Sequence, residues 1–280
     1  MTRSLGAYLV GNMVEPLIRL GRWDDVPERI ANALAGDPEG VFAATLHTTR
    51  AELCLMRGGY EDAAADARDV RRLVGGSKDT QFALSLAYVE ATLEHSRGDH
   101  EAALKVLGDA LGNTSVDGFT PRYTWPLLWL GMRVEADLAV RARDRRAPTP
   151  VTSAQRQLFA RLADELTFVA VPERARRQLF LAEQARLHGV GEAEAWTVGV
   201  AACRDADEPP LVAYALFRLA EAACADGDRD AAATAARESA AIAARLGAEP
   251  VLAEVRALAR RARLLIDDQH IEPVPARRHR

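Results

Sequence analysis

Residues 57–73 read RGGYEDAAADARDVRRL, and the phrase returns as RGDHEAALKVLGDAL at 97–111 and as DGDRDAAATAARESA at 226–240. An earlier version, LGRWDDVPERIANALAGDP, occupies 20–38. Each phrase sets a glycine, one further residue, a bulky or polar residue, two mostly acidic positions and then a small residue. Glycine ends a helix there because it enters the left-handed conformation at no steric cost. The acidic pairs Asp24-Asp25 and Glu61-Asp62 fall where the next helix opens, complementing its N-terminal dipole. Val26, Ala63, Ala103 and Ala232 are small enough for close helix contact, while Trp23 and Tyr60 are read as wedges between the two helices. Gly21, Gly58, Gly98 and Gly227 stand 37, 40 and 129 residues apart, the last close to three further units. Two helices per unit at that period predict an all-α solenoid of helical hairpins.

Composition agrees. The chain has 280 residues, 49% of them hydrophobic but only 6% aromatic, so alanine fills much of the apolar quota, and alanine is the best helix former. The net charge of -4 gives no global pull toward nucleic acid or an anionic membrane. Lys78 and Lys105 are the only lysines, and the arginine excess reads as a codon effect of a GC-rich genome. Cys54, Cys203 and Cys224 are far apart and lie in Ala/Leu-rich text, which predicts buried free thiols in a reducing compartment. The N-terminus lacks a cationic start followed by a long apolar run, and no window is apolar enough to span a bilayer. A cytoplasmic location is expected.

Further along, PRYTWPLLWLGMRVEADLAVRAR (121–143) reads as one helix starting near Pro126, and RDRRAPTPVTS (143–153) as a loop. Helices are expected at about 153–168, 172–188 and 191–205, with a last amphipathic one at 250–266. Pro16 predicts a kink or a late helix start in the first helix. Residues 1–267 are thus expected to form one α-solenoid and 268–280 a flexible C-terminal tail.

The pattern resembles the tetratricopeptide repeat. Three stretches match well: Ala7 to Pro38 with Ala33, Ala44 through Gly58, Tyr60 and Ala63, and Leu84 through Gly98, Ala103, Leu107 and Ala110 with His100 at the aromatic position. A fourth, from Ala213, keeps Gly227 and Ala232 but has Arg229 there. The resemblance implies that the leading helix of each hairpin lines a concave groove holding a peptide or another ligand. Its candidate residues are Tyr8, Asn12, Glu15, Thr45, Thr49, Glu52, Tyr88, Tyr214 and Arg218. By spacing alone, Trp125, Trp129 and Arg133 recur every four residues and share a helical face, as core or as pocket wall.

Catalytic signatures are not found. VGGSKDT (74–80) lacks the Gly-Lys-Ser/Thr ending of a phosphate loop and reads as a turn. The six histidines show no metal spacing, and His95 and His100 are read as surface or turn residues. The carboxylate pairs have helix-end explanations that need no acid/base role. RALARRAR (256–263) is read as a solvated or partner-helix face rather than a nucleic-acid contact. The expectation is a non-enzyme without cofactor or metal.

The stretches GNMVEPLIRLGRWDD (11–25), YTWPLLWLGMRVEADLA (123–139), residues 191–233 and ARLGAEPVLAEVRALARRARL (244–264) together resemble the tetratricopeptide-like region of large ATP-binding LuxR-type transcriptional regulators. The likeness spans roughly residues 5 to 266. It implies a non-catalytic sensor arm acted on by a protein or peptide partner or a small-molecule effector, without direct nucleic-acid or membrane contact. The family's ATPase and helix-turn-helix have no counterpart in this sequence, so the chain is expected to be a fragment or truncated regulator. The alternative expectation is a free-standing scaffold that docks a client peptide.

Overall fold

The computed structural model describes residues 2–75, 79–112, 121–147, 153–166 and 170–266, and its regular elements are all helical, with no strand among them. In chain order they are α1 (Thr2–Arg19), a single 3-10 turn (Trp23–Asp25), α2 (Pro27–Ala35), α3 (Gly40–Arg57), α4 (Tyr60–Val74), α5 (Thr80–Ser96), α6 (His100–Gly112) and α7 (Pro121–Asp144). The second half holds α8 (Ala154–Glu165), α9 (Val171–His188), α10 (Glu192–Asp205), α11 (Pro209–Ala225), α12 (Arg229–Leu246) and α13 (Glu249–Ala262). None of these helices is long and apolar enough to cross a membrane.

The aligned glycines behave as their sequence context requires. Gly21, Gly58, Gly98 and Gly227 have φ of 74°, 85°, 81° and 83°, a backbone region that charges other residues a steric penalty. At Gly58 the chain also recovers carbonyls of the ending helix: its N–H donates to Leu55 O at 3.2 Å, and Gly59 N–H donates to Cys54 O at 2.7 Å. Each elbow folds a helix back on its predecessor, so α4 packs on α3, α6 on α5 and α12 on α11, while α10 packs on α9. Ala63, Ala103 and Ala232 are fully buried at these contacts, as is Val26.

A second set of contacts joins the leading helices in series, α1 to α3 to α5 to α7 to α9, and α11 to α13. The row then returns on itself, because α13 also touches α3. A Cβ at Gly21 would lie 2.7 Å from Leu246, and one at Gly58 would lie 3.6 Å from Pro250, so both early elbows sit directly under C-terminal residues. One continuous core runs from Ala7 and Trp23 through Trp125 and Trp196 to Val255. A smaller core of Ala51, Leu55, Ala63, Ala67, Val89 and Leu93 binds α3, α4 and α5.

Several sequence expectations need correction. α7 starts at Pro121, so Pro126 lies inside it. α1 starts at Thr2 and runs through Pro16, so the helix does not start late, and Pro16 offers no N–H to the carbonyl one turn back. Asp24 and Asp25 occupy the 3-10 turn, and α2 begins later, at Pro27. Trp23 is buried and its indole donates to Ile18 O at 2.8 Å, but Tyr60 is 38% exposed and wedges nothing. Cys203 is buried, whereas Cys54 and Cys224 are half-buried. His100 is only 5% exposed, and His95 stacks beside it with Nδ1 atoms 3.2 Å apart, so neither is a surface residue. The 268–280 tail, residues 76–78 of the 74–80 turn and residues 148–152 of the 143–153 loop lie outside the described residues.

Candidate functional site

The inner helices enclose a chamber of about 870 Å³, within the range of small-molecule sites. Its walls come from α1, α3, α5, α7, α9, α11 and α13, and they carry aromatic rings alongside both signs of charge. Nine of the twelve sequence candidates line it: Glu15, Thr45, Thr49, Glu52, Tyr88, Trp129, Arg133, Tyr214 and Arg218.

Tyr8, Asn12 and Trp125 do not. Tyr8 shares a face with Glu15 but sits about 10 Å further up α1, given the rise of an α-helix. Its half-exposed ring meets Phe42 edge-on with centroids 6.3 Å apart, and Asn12 is exposed. Trp125 is fully buried against Phe180 at 6.1 Å. Four-residue steps overshoot a full helical turn by about 40°, so eight residues swing the face by about 80°. Trp125 therefore turns into the core, Trp129 borders the chamber, and Arg133 enters it.

One end of the chamber is organised around Asp137. Arg186 donates to Asp137 Oδ1 from Nη1 at 2.8 Å and also from Nη2, and Arg218 Nη2 lies 3.4 Å from the same oxygen. His95 Nε2 lies 3.3 Å from the other oxygen. Burial would raise the Asp137 carboxyl, but the charges of Arg218, Arg186 and Arg133 overcome it and hold the group well below the ordinary carboxylate range. Burial, then Arg133, push His95 down to about 3, leaving it neutral at physiological pH. Tyr214 donates to Glu183 and accepts from Arg218 Nε at 3.1 Å, while Arg218 Nη1 reaches Glu221 at 2.6 Å. This cluster is largely closed: each of its carboxylates already has a donor, though Glu183 Oε2 and Arg186 Nε have no hydrogen-bond partner.

Arg133 stands apart from it. Its guanidinium lies over the Tyr214 ring, 4.5 Å from the centroid, and its Nε has no hydrogen-bond partner. No ion pair to it occurs among the described residues, since Asp137 is shared by Arg186, Arg218 and His95. A cation–π contact is worth about 0.5–2 kcal/mol. Burial works against this cation, but Tyr214 and the more distant Asp137 and Glu183 offset that cost and hold its pKa above the ordinary arginine value.

The other end is built on α3. Thr45, Thr48 and Thr49 donate to carbonyls one turn back, at 2.9 Å each, leaving their hydroxyl lone pairs as acceptors. Arg176 grips Glu208 with two parallel bonds of 2.8 Å, Arg122 donates to Glu15, and Arg19 Nη2 reaches Glu15 at 3.0 Å. Glu52 takes no part in these pairs. It touches the chamber on one side and protein on the others. Burial, assisted by the negative charge of Glu15, raises its carboxyl to about 7 against the opposing pull of Arg19, Arg176 and Arg122. Between the two ends, burial and then Glu52 raise the Tyr88 hydroxyl to about 12, so it remains a donor.

Sequence reasoning missed His95, Asp137, Arg176, Arg186 and Glu208. A faint signal existed for two of them. Continuing the four-residue step from Trp129 and Arg133 reaches Asp137, and Tyr88, Thr92 and His95 follow the same three-to-four spacing on α5. For the others the partner lies 32 to 49 residues away, and nothing local marks it.

Outside the chamber, His47, Asp66 and Asp69 bring potential ligand atoms within 4.8 Å of one another. Arg50 already donates to both Asp66 oxygens, at 2.8 and 2.6 Å, so the group reads as a part-buried ion-pair network. No family model, curated protein or solved structure matches this chain.

Proposed function

We propose that the chain is a non-catalytic sensor region built on a tetratricopeptide-like α-solenoid, and that it holds a small-molecule effector in the central chamber. On this reading it is a piece or truncated form of a regulator resembling the ATP-binding LuxR type, in which effector binding to the helical arm controls transcription. The observation that carries the reading is the chamber, where aromatic walls surround two ionisable groups, Glu52 and Arg133, that have no ion-pair partner among the described residues. Folds do not retain such groups for stability, and a ligand is the simplest compensation.

The test is native mass spectrometry of the chain purified from its own cells, beside Ser85→Trp, which fills the chamber from α5. A co-purified small molecule lost in the variant is the expected result. A chain that carries nothing, and whose melting temperature no fraction of cell extract raises, would remove the effector reading. The regulator part is tested separately by the flanking reading frame, where a P-loop ATPase upstream and a helix-turn-helix downstream are expected.

One observation favours a second reading, a free-standing scaffold that docks a client protein or peptide. Leu5, Tyr8, Leu9 and Met13 stand exposed along α1 at 57%, 52%, 58% and 40%, an apolar stripe that a partner would cover. Binding of a client that Ser85→Trp leaves intact and Leu9→Glu abolishes would establish it.

A further inference from the structure

We infer that the chamber takes an organic monoanion, with its single acidic group on Arg133 and an apolar planar body against the surrounding aromatic wall. This rests on the effector reading and narrows it to a ligand class.

Charge accounting within the chamber leads there. The other buried guanidiniums are committed: Arg176 to Glu208, Arg186 to Asp137, and Arg218 to Asp137 and Glu221. Arg133 alone among them has no carboxylate, and arginine cannot shed its proton to escape the cost. Tyr60 and Tyr88 line the same chamber and present two further hydroxyl groups to it. Tyr60 is exposed to the chamber at the start of α4, which gives a role to the ring that does not act as a wedge. A carboxylate or sulfonate seated on Arg133 would accept from these donors in the manner of charge-assisted pairs.

The same accounting limits the ligand's charge. Apart from the solvent-exposed Arg141 and Arg143, Arg133 is the one lining cation without a carboxylate among the described residues, while Glu15, Glu52, Glu192 and Glu254 also face the chamber. A second negative charge, as on a phosphate monoester, would find no second unpaired guanidinium on the buried wall beside Arg133 and would face several carboxylates. The walls supply planar surface at Trp129, Tyr88 and Phe82, suited to an aromatic or extended apolar body.

The experiment is a fluorescence titration of the whole chain with two dyes of similar shape, anionic 1-anilinonaphthalene-8-sulfonate and uncharged N-phenyl-1-naphthylamine. The anion is expected to bind one per chain and at least tenfold tighter than the neutral dye. It should be displaced by 1-naphthoate at least tenfold more readily than by doubly charged 1-naphthyl phosphate. Arg133→Gln should abolish the preference for charge without weakening the neutral dye, and Arg133→Lys should retain part of it. Equal affinity for both dyes, or a charge preference that survives Arg133→Gln, overturns the inference. If Ser85→Trp nevertheless excludes the neutral dye, the chamber remains a ligand site and only its charge selectivity is lost. If neither dye binds, or Ser85→Trp changes nothing, the effector reading falls with it.

Discussion

Asp137 and Glu52 are carboxylates facing one chamber, yet their surroundings push them in opposite directions. Around Asp137 the charges of Arg218, Arg186 and Arg133 converge from three helices, and their attraction exceeds the cost of burial. Around Glu52 the nearest cations, Arg19, Arg176 and Arg122, are already spent on Glu15 and Glu208, so burial wins and the carboxyl titrates near 7. Burial alone decides neither case. What separates the two is whether the neighbouring guanidiniums have other carboxylates to serve. One end of the chamber has its charges locked into the fold, and the other has a group left over.

Breaking the closed end should have the largest effect. Asp137→Asn removes the charge that Arg186 and Arg218 share while keeping the side chain's size. Taking away one member of a buried ionic cluster costs about 3–5 kcal/mol. Glu183, 3.3 Å from Arg186, and Glu221 should hold the loss toward the lower figure. Chemical denaturation at neutral pH measures it, and a loss below 1 kcal/mol would show that the cluster is solvated. Asp137 also sets an acid limb. Its carboxyl is depressed in the folded chain, so its contribution is complete above the ordinary carboxylate range and fades as pH falls toward the folded value. Asp137→Asn should flatten that limb.

A framework substitution sharpens the contrast, since it should disturb packing and leave both charged ends alone. Ala63 is fully buried in the small core joining α3, α4 and α5. Ala63→Leu overfills that space and should cost about 1–3 kcal/mol. Hydrogen exchange should quicken in α3 to α5 and stay unchanged in α9 to α12, because α4 packs chiefly on α3 and α5. Uniform quickening would mean that the chain opens as a single unit.

How much of this the sequence discloses differs between scaffold and chamber. The elbows at Gly21, Gly58, Gly98 and Gly227 are legible because only glycine takes their backbone angles cheaply, so residue type reports conformation. The elbows at Asp37, Arg146, Asp207 and Arg263 have φ between 51° and 53° and no glycine to mark them, so residue type does not announce these turns. On the chamber wall, helical spacing is legible down α3 and α7, since a helix repeats its face every three to four residues. The ionic cluster is not, because Asp137 and Arg218 meet across 81 residues of chain and charge pairing leaves no trace in local periodicity. Tyr60 and Trp125 fail for a related reason. An aromatic residue reads as apolar bulk whether its ring ends in the core or at a cavity, and only the neighbouring helices decide which.

The smallest effect is expected at the open end, and its sign is the informative part. Glu52 titrates near 7 in the folded chain and near 4.3 when unfolded. Between those values the folded state holds the extra proton, so stability falls as pH rises through that window. Glu15 and Arg19 on α1, Arg122 on α7 and Arg176 on α9 face this group, and none of them is released by its ionisation. Glu52→Gln cannot ionise. It should match the parent near pH 4 and exceed it by about 1–2 kcal/mol at pH 8, less than the full shift implies because chamber water screens the charge. Melting curves across that range measure the difference. A variant less stable than the parent at pH 8 would mean that Glu52 is held as a committed anion, and the two ends of the chamber would then be alike.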